Sequence, residues 1–171
     1  MTKNKIIAVI GILLILLVVI FYKFIKQSPP KKEVHYHAGF VVFENGHKVD
    51  FSDSKYMYIK PCNVNTKATD SPATAQVEKA HLHDGIGDVV HVEAANAKWR
   101  DLFANIGYSV DYASASAYIN GTKVSDFQNT PIKAYDSLVL FIRKVDQTLL
   151  SQAVTKDHII QIEKTSVECG D

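Results

Sequence analysis

The chain has 171 residues, enough for one ordinary domain, and a formal charge of +1. The balance is uneven: residues 1–32 hold six lysines and no acid, so residues 33–171 carry −5. An acidic main body excludes nucleic acid as a partner, which needs a basic stripe, and gives no support for flat adhesion to anionic lipid.

From Ile6 to Tyr22 there is no charge. With Phe24 and Ile25 the apolar zone approaches the ~20 residues that span a bilayer core. Lys23, Lys26 and Pro29-Pro30 follow, with no A-x-A-like cleavage site. Residues 1–26 therefore read as an uncleaved signal anchor and transmembrane helix, and 27–33 as a linker. The alternative is a core helix, which the size of the chain disfavours, because a helix apolar all round needs a much larger protein to bury it. The lysines after the run place the C-terminal side in the cytoplasm by the positive-inside rule, whereas a short basic start is the form of an export signal. Cys62 and Cys169 form no C-x-x-C motif. They read as a disulfide, as free thiols, or with Cys62 as a metal ligand. Two distant cysteines tilt the reading toward the oxidising side of the membrane, with an extracytoplasmic domain.

The main domain is expected at 34–146. His35 to Phe43 is aromatic and β-branched, Glu44-Asn45-Gly46 is a turn, and His47 to Phe51 alternates, so a hairpin is expected. Tyr56 to Ile59 is a candidate third strand. Residues 60–78 are polar and loop-like, with a short helix expected at 73–80. Asp88 to Ala94 reads as a strand with Val90, Val92 and Ala94 on one face and Val89, His91 and Glu93 on the other. Trp99, Leu102, Phe103 and Ile106 fall at i, i+3, i+4 and i+7, the stripe of an amphipathic helix that Gly107 stops. Leu102 and Phe103 should be buried, Arg100 and Asn105 exposed. Ala115 to Ile119 is a strand, Asn120-Gly121 a turn, and Ser137 to Val145 the most apolar strand. Residues 146–165 read as helix with Leu149, Leu150, Ala153 and Val154 on one face, and 147–171 as a C-terminal helix and tail. The fold class is α+β.

Two resemblances refine this. The pieces WRDLFANIG, YINGTKV and PIKAYDSLVLFIRKV, within residues 99–145, resemble the β-grasp of ubiquitin-like sulfur carriers, which implies a β-grasp-like sheet with a packed helix. Those carriers end in Gly-Gly after the last strand. This chain continues and ends Cys169-Gly170-Asp171, so carrier chemistry is not implied. HYHAGFVVFENG, HLHDGIGDVVHVEA and WRDLFANIG together resemble a family of uncharacterised membrane-anchored proteins with H-x-H, H-x-H-D and I/V-H-V/I-E motifs. That likeness implies the grouping of the histidines and no reaction.

Five of the seven histidines lie in two short stretches: His35 and His37, then His81, His83 and His91. On a strand, residues i and i+2 share a face at roughly 6–7 Å, so His-x-His can present two imidazoles to one ion. If the strand with His35 pairs near that with His91, all five converge on one site. Asp84 and Glu93 are candidates to orient an imidazole through its other nitrogen. His47 and His158 read as solvated surface. Imidazole ligands suit copper or zinc. No G-x-S-x-G, H-E-x-x-H or P-loop accompanies them. The leading expectation is a membrane-anchored protein that binds copper or zinc for capture, delivery or electron transfer. The alternatives are an interaction module with a structural ion, meeting a protein partner at the membrane surface, and a zinc-dependent hydrolase.

Overall fold

A computed structural model describes residues 14, 16, 17, 34–59 and 72–165. The chain divides into two units, Met1–Lys32 and Glu33–Asp171. In the first, Leu14, Leu16 and Leu17 are helical and exposed. The remainder of the expected anchor, Cys62 and Cys169 lie outside the described residues. Among the described residues no helix is long and apolar enough to cross a membrane.

The second unit is a mixed α+β domain. Its strands are β1 Tyr36–Glu44, β2 His47–Lys48, β3 Val89–Val92, β4 Ala115–Ile119, β5 Thr122–Val124 and β6 Ser137–Ile142. Its helices are α1 Pro72–Val77, α2 Trp99–Asn105 and α3 Lys156–Thr165. The sheet order is β2-β1-β6-β4-β5. β1 and β6 run parallel, and the other pairs are antiparallel. β3 shares an edge of β1 with β2, at the Tyr36–Gly39 end, while β2 takes Phe43 and Glu44.

Strand alternation gives the sheet two buried faces. Ala38, Phe40 and Val42 of β1, Val90 and Val92 of β3, and Leu138, Leu140 and Ile142 of β6 form the main core with the α2 stripe of Trp99, Leu102, Phe103 and Ile106. The opposite residues, Val41, Phe43, Val139 and Phe141, pack with Leu149, Leu150 and Ala153. Val89 on that face meets Val154 and Ile159. Glycine is needed at Gly39 on this face, because an added Cβ would lie 2.5 Å from Val154 Cβ. The C-terminal segment thus covers the half of the sheet that α2 leaves open.

Several elements differ from the expectations. Tyr56 to Ile59 is not a strand: Ser54–Tyr56 is a 3-10 turn, and pairing is one bridge from Met57 to Leu82. Its start is fixed by Asp53, which accepts from the Lys55 N–H. The second hairpin strand is only His47–Lys48, β3 spans Val89–Val92, and the helix in the polar loop is Pro72–Val77. Residues 146–165 are not one helix. A 3-10 segment at Gln147–Gln152, capped by Asp146, precedes α3. Thr155 then accepts from the His158 N–H and restarts the chain as a helix. The apolar face of Leu149, Leu150, Ala153 and Val154 nevertheless packs as a unit on the sheet.

Leu102 and Phe103 are buried and Arg100 is exposed, as the stripe predicts. Asn105 is half-buried instead, because its amide donates to the carbonyls of Gln76 and Ala80 at 2.9 and 2.7 Å. Leu102 has no exposed surface. Leu102→Ala should therefore cost ~2–5 kcal/mol in urea unfolding. A loss below about 0.5 kcal/mol, the scale of a surface change, would contradict its place in the core.

Candidate metal centre

His91 sits at the centre of a short three-stranded ladder. On one side it faces His81 in a bridge closed by two backbone hydrogen bonds, at 3.0 and 2.9 Å. On the other it is the register partner of His37. Because both backbone groups of His91 are used toward His81, the His37–His91 pair is the non-hydrogen-bonded kind, in which side chains approach most closely. Their rings stack at 4.7 Å, and His35, two residues before His37, stacks on His91 at 4.6 Å.

His83 is placed by a turn. Asp84 and Gly85 both adopt positive φ, 60° and 71°, and the Ile86 N–H donates to the His83 carbonyl. Gly87 then passes so close to Phe51 and Ser52 that a Cβ would lie 2.5 Å from their backbone. The result brings His83 back over His91, with ring centroids 4.6 Å apart. All five histidines expected to act together are in one patch on one face of the sheet. Their ring nitrogens form two triads, His35/His37/His91 and His81/His83/His91, each within 4.8 Å and sharing His91.

The hydrogen bonds set which nitrogen carries a lone pair. His81 Nδ1 lies 3.1 Å from the carbonyl of Val77. A carbonyl only accepts, so Nδ1 is the protonated nitrogen and Nε2 holds the lone pair. Asp84 lies 2.7 Å from His83 Nδ1 and fixes the same tautomer there. His83 Nε2 in turn is 2.6 Å from His91 Nδ1. Two neutral rings make this contact with His91 donating its Nδ1–H. An acidic or carbonyl acceptor behind each imidazole is the usual support of a metal-ligating histidine. Val77 is available for this because it ends α1, where the last carbonyls have no helical partner, and Asn105 Nδ2 also donates to it at 3.4 Å.

Burial differs around the cluster. His37 is 1% exposed, His81 and His91 4% each, His35 is exposed, and the His83 side chain retains 19%. Among the described residues, both ring nitrogens of His37 and Nε2 of His91 are buried without a hydrogen-bond partner. Burial pushes the His91 pKa down to about 2, reinforced by repulsion from His81, His37, His83 and His35. His37 is also lowered, first by burial and then by His35, with Glu163 opposing.

Glu93, on the same face as His91, brings a carboxylate oxygen to 3.9 Å from its Nε2. Glu163 is a group that the pattern of histidines did not reveal. It lies 3.7 Å from His37 Nδ1 and accepts from the Tyr135 hydroxyl at 3.0 Å. Its one signal in the sequence is helical spacing: Ile159, Ile162 and Glu163 fall at i, i+3 and i+4, an acid on the apolar stripe of α3. His47 is exposed and outside the cluster. His158 is not simply solvated surface. It is half-buried, with Nε2 3.3 Å from Asp88, and helps fasten α3 beside the sheet.

Comparison with known proteins found no matching family model, no matching curated protein and no matching solved structure.

The depressed histidines link stability to pH. An unfolded histidine, with its ordinary pKa of 6.5, takes up a proton that folded His91 and His37 refuse. Below about pH 6.5 the unfolded state binds more protons, so stability falls as pH falls, and above it these rings add no slope. The loss continues toward the lowered folded values, at up to about 1.4 kcal/mol per pH unit for each ring kept neutral. The thermal midpoint of metal-free protein should decline between pH 6.5 and 5, and more gently in His91→Gln. A wild-type midpoint that stays flat over that range would contradict this account.

Proposed function

We propose that the chain is a membrane-anchored, extracytoplasmic transition-metal-binding protein, with His35, His37, His81, His83 and His91 as ligands and capture or delivery as its task. The observation that carries this reading is the convergence of two imidazole triads on His91, with the Nε2 lone pairs of His81 and His83 set by Val77 and Asp84. An all-nitrogen set of neutral imidazoles suits copper and zinc, and the general affinity order favours Cu(II). The exposed edge at His35 supports entry of an ion from solvent. The anchor reading rests on the uncharged run from Ile6 to Tyr22.

The domain reads further as β-grasp-like. Support comes from the order β2-β1-β6-β4-β5, with a parallel central pair flanked by antiparallel strands and α2 packed on one face. A second reading, an interaction module with a structural ion, is favoured by the near-complete burial of His37 and His91. Chelation separates the two, since a structural site unfolds when stripped and a capture site does not.

Full-length protein in detergent, freed of metal and titrated calorimetrically, should bind Cu(II) or Zn(II) tightly. His37→Gln combined with His83→Gln breaks both triads and should weaken binding at least about 100-fold, the upper end of what even a supporting residue contributes. His47→Gln should leave it unchanged. Wild-type affinity in the double variant would return the histidines to ordinary surface and core residues.

A further inference from the structure

We propose that the centre takes two ions, one in each triad, with His91 bridging them through both ring nitrogens. This rests on the metal-binding reading above and adds the number of ions and the shared ligand.

His91 Nδ1 points at the His81/His83 side, 2.6 Å from His83 Nε2. The lone pairs of an imidazole diverge in the ring plane, so both nitrogens cannot serve one ion. His91 nevertheless belongs to both triads. Its Nε2 is buried with no hydrogen-bond partner among the described residues, and Glu93 stands off at 3.9 Å. In the other triad, both nitrogens of His37 are also buried without hydrogen bonds among the described residues. Buried polar atoms left unpaired are costly and uncommon, and an ion is one of the few groups that satisfies several at once.

The bridge has a chemical consequence. An imidazole with a metal on each nitrogen has no N–H. Filling the second triad therefore releases the last ring proton of His91 to solvent, and the ring becomes an imidazolate with one negative charge shared by two cations. The acids at the rim offset the net positive charge that two divalent cations leave after sharing one imidazolate. Glu163 lies 3.7 Å from His37, Glu93 beside His91, and Asp84 behind His83. The two triads also differ in access. Each contains two buried rings, but His35 is exposed where His83 is only partly so, and the His35/His37/His91 position is therefore the more open to exchange with solvent.

The test is titration of the full chain in detergent with Cu(II) alone, followed by calorimetry and electron paramagnetic resonance. His35→Gln and His83→Gln are the informative variants, because neither removes a fully buried side chain. Wild type should saturate at two ions per chain. The resonance should grow with the first ion and shrink with the second, as the imidazolate couples the two spins, and the second step should release one more proton into buffer. Each single variant should saturate at one ion with a full, uncoupled signal. Saturation of wild type at one ion, weakened in both variants, would overturn the bridge and leave a single five-histidine site. Two ions with additive signals would overturn the bridge and leave two separate sites. No bound ion in wild type would overturn the metal-binding reading itself.

Discussion

The pairing of β1 with β3 in the register that sets His37 opposite His91 is the constraint on which the centre depends. A slip of one residue would exchange the faces of β3, sending His91 into the core beside Trp99 and Val90 to the histidine side. Register is strongly held here because both faces are buried. Val90 and Val92 fill the core against α2, while Val89 fits under Val154 and Ile159. The apolar residues therefore fix the positions of the polar ones. His81 is tied to the same ladder through its bridge to His91, and His83 follows from the turn at Asp84-Gly85.

Five imidazoles on one face are an unfavourable arrangement for protons. Burial and mutual repulsion keep His37 and His91 neutral, and neutral imidazole is the form that ligates a metal. The same packing thus costs stability in acid and prepares lone pairs at neutral pH. Val77 and Asp84 complete the preparation by occupying the Nδ1 positions of His81 and His83. Asn105 acts one step further back. It holds the carbonyls of Gln76 and Ala80, so the end of α1 and the chain entering His81 stay in place.

Local features were legible in the sequence because their causes are local. The aromatic and β-branched run of β1, the two faces of β3, the α2 stripe, and the turns at Asn45-Gly46 and Asn120-Gly121 each follow from neighbouring residues, and the turn residues do adopt positive φ. The two His-x-His pairs were legible as candidates for the same reason. What the sequence left open was long-range. Nothing near His37 specifies that its partner is His91, fifty-four residues on. Asn105 read as exposed because helical spacing puts it off the apolar stripe, whereas its hydrogen bonds reach a helix about thirty residues earlier. Apolar spacing alone makes residues 146–165 look like one helix. Asp146 and Thr155 are capping residues, and their positions mark the break that the apolar spacing concealed. Glu163 shows in the sequence only as an acid on the apolar stripe of α3, and its approach to His37 follows from the packing of α3 against β1.

The central claim is that folding alone sets the Nδ1–H tautomer of His81 and His83 and brings a ring nitrogen of each within 4.8 Å of one of His91. Nitrogen-15 resonance of the imidazole rings tests this most directly, in full-length protein before and after one equivalent of Zn(II). The account predicts that His81 and His83 carry the proton on Nδ1 in the metal-free protein, and that zinc shifts their Nε2 signals while those Nδ1–H groups persist. Nε2-protonated rings in the metal-free protein, or rings that do not respond to zinc, would contradict it.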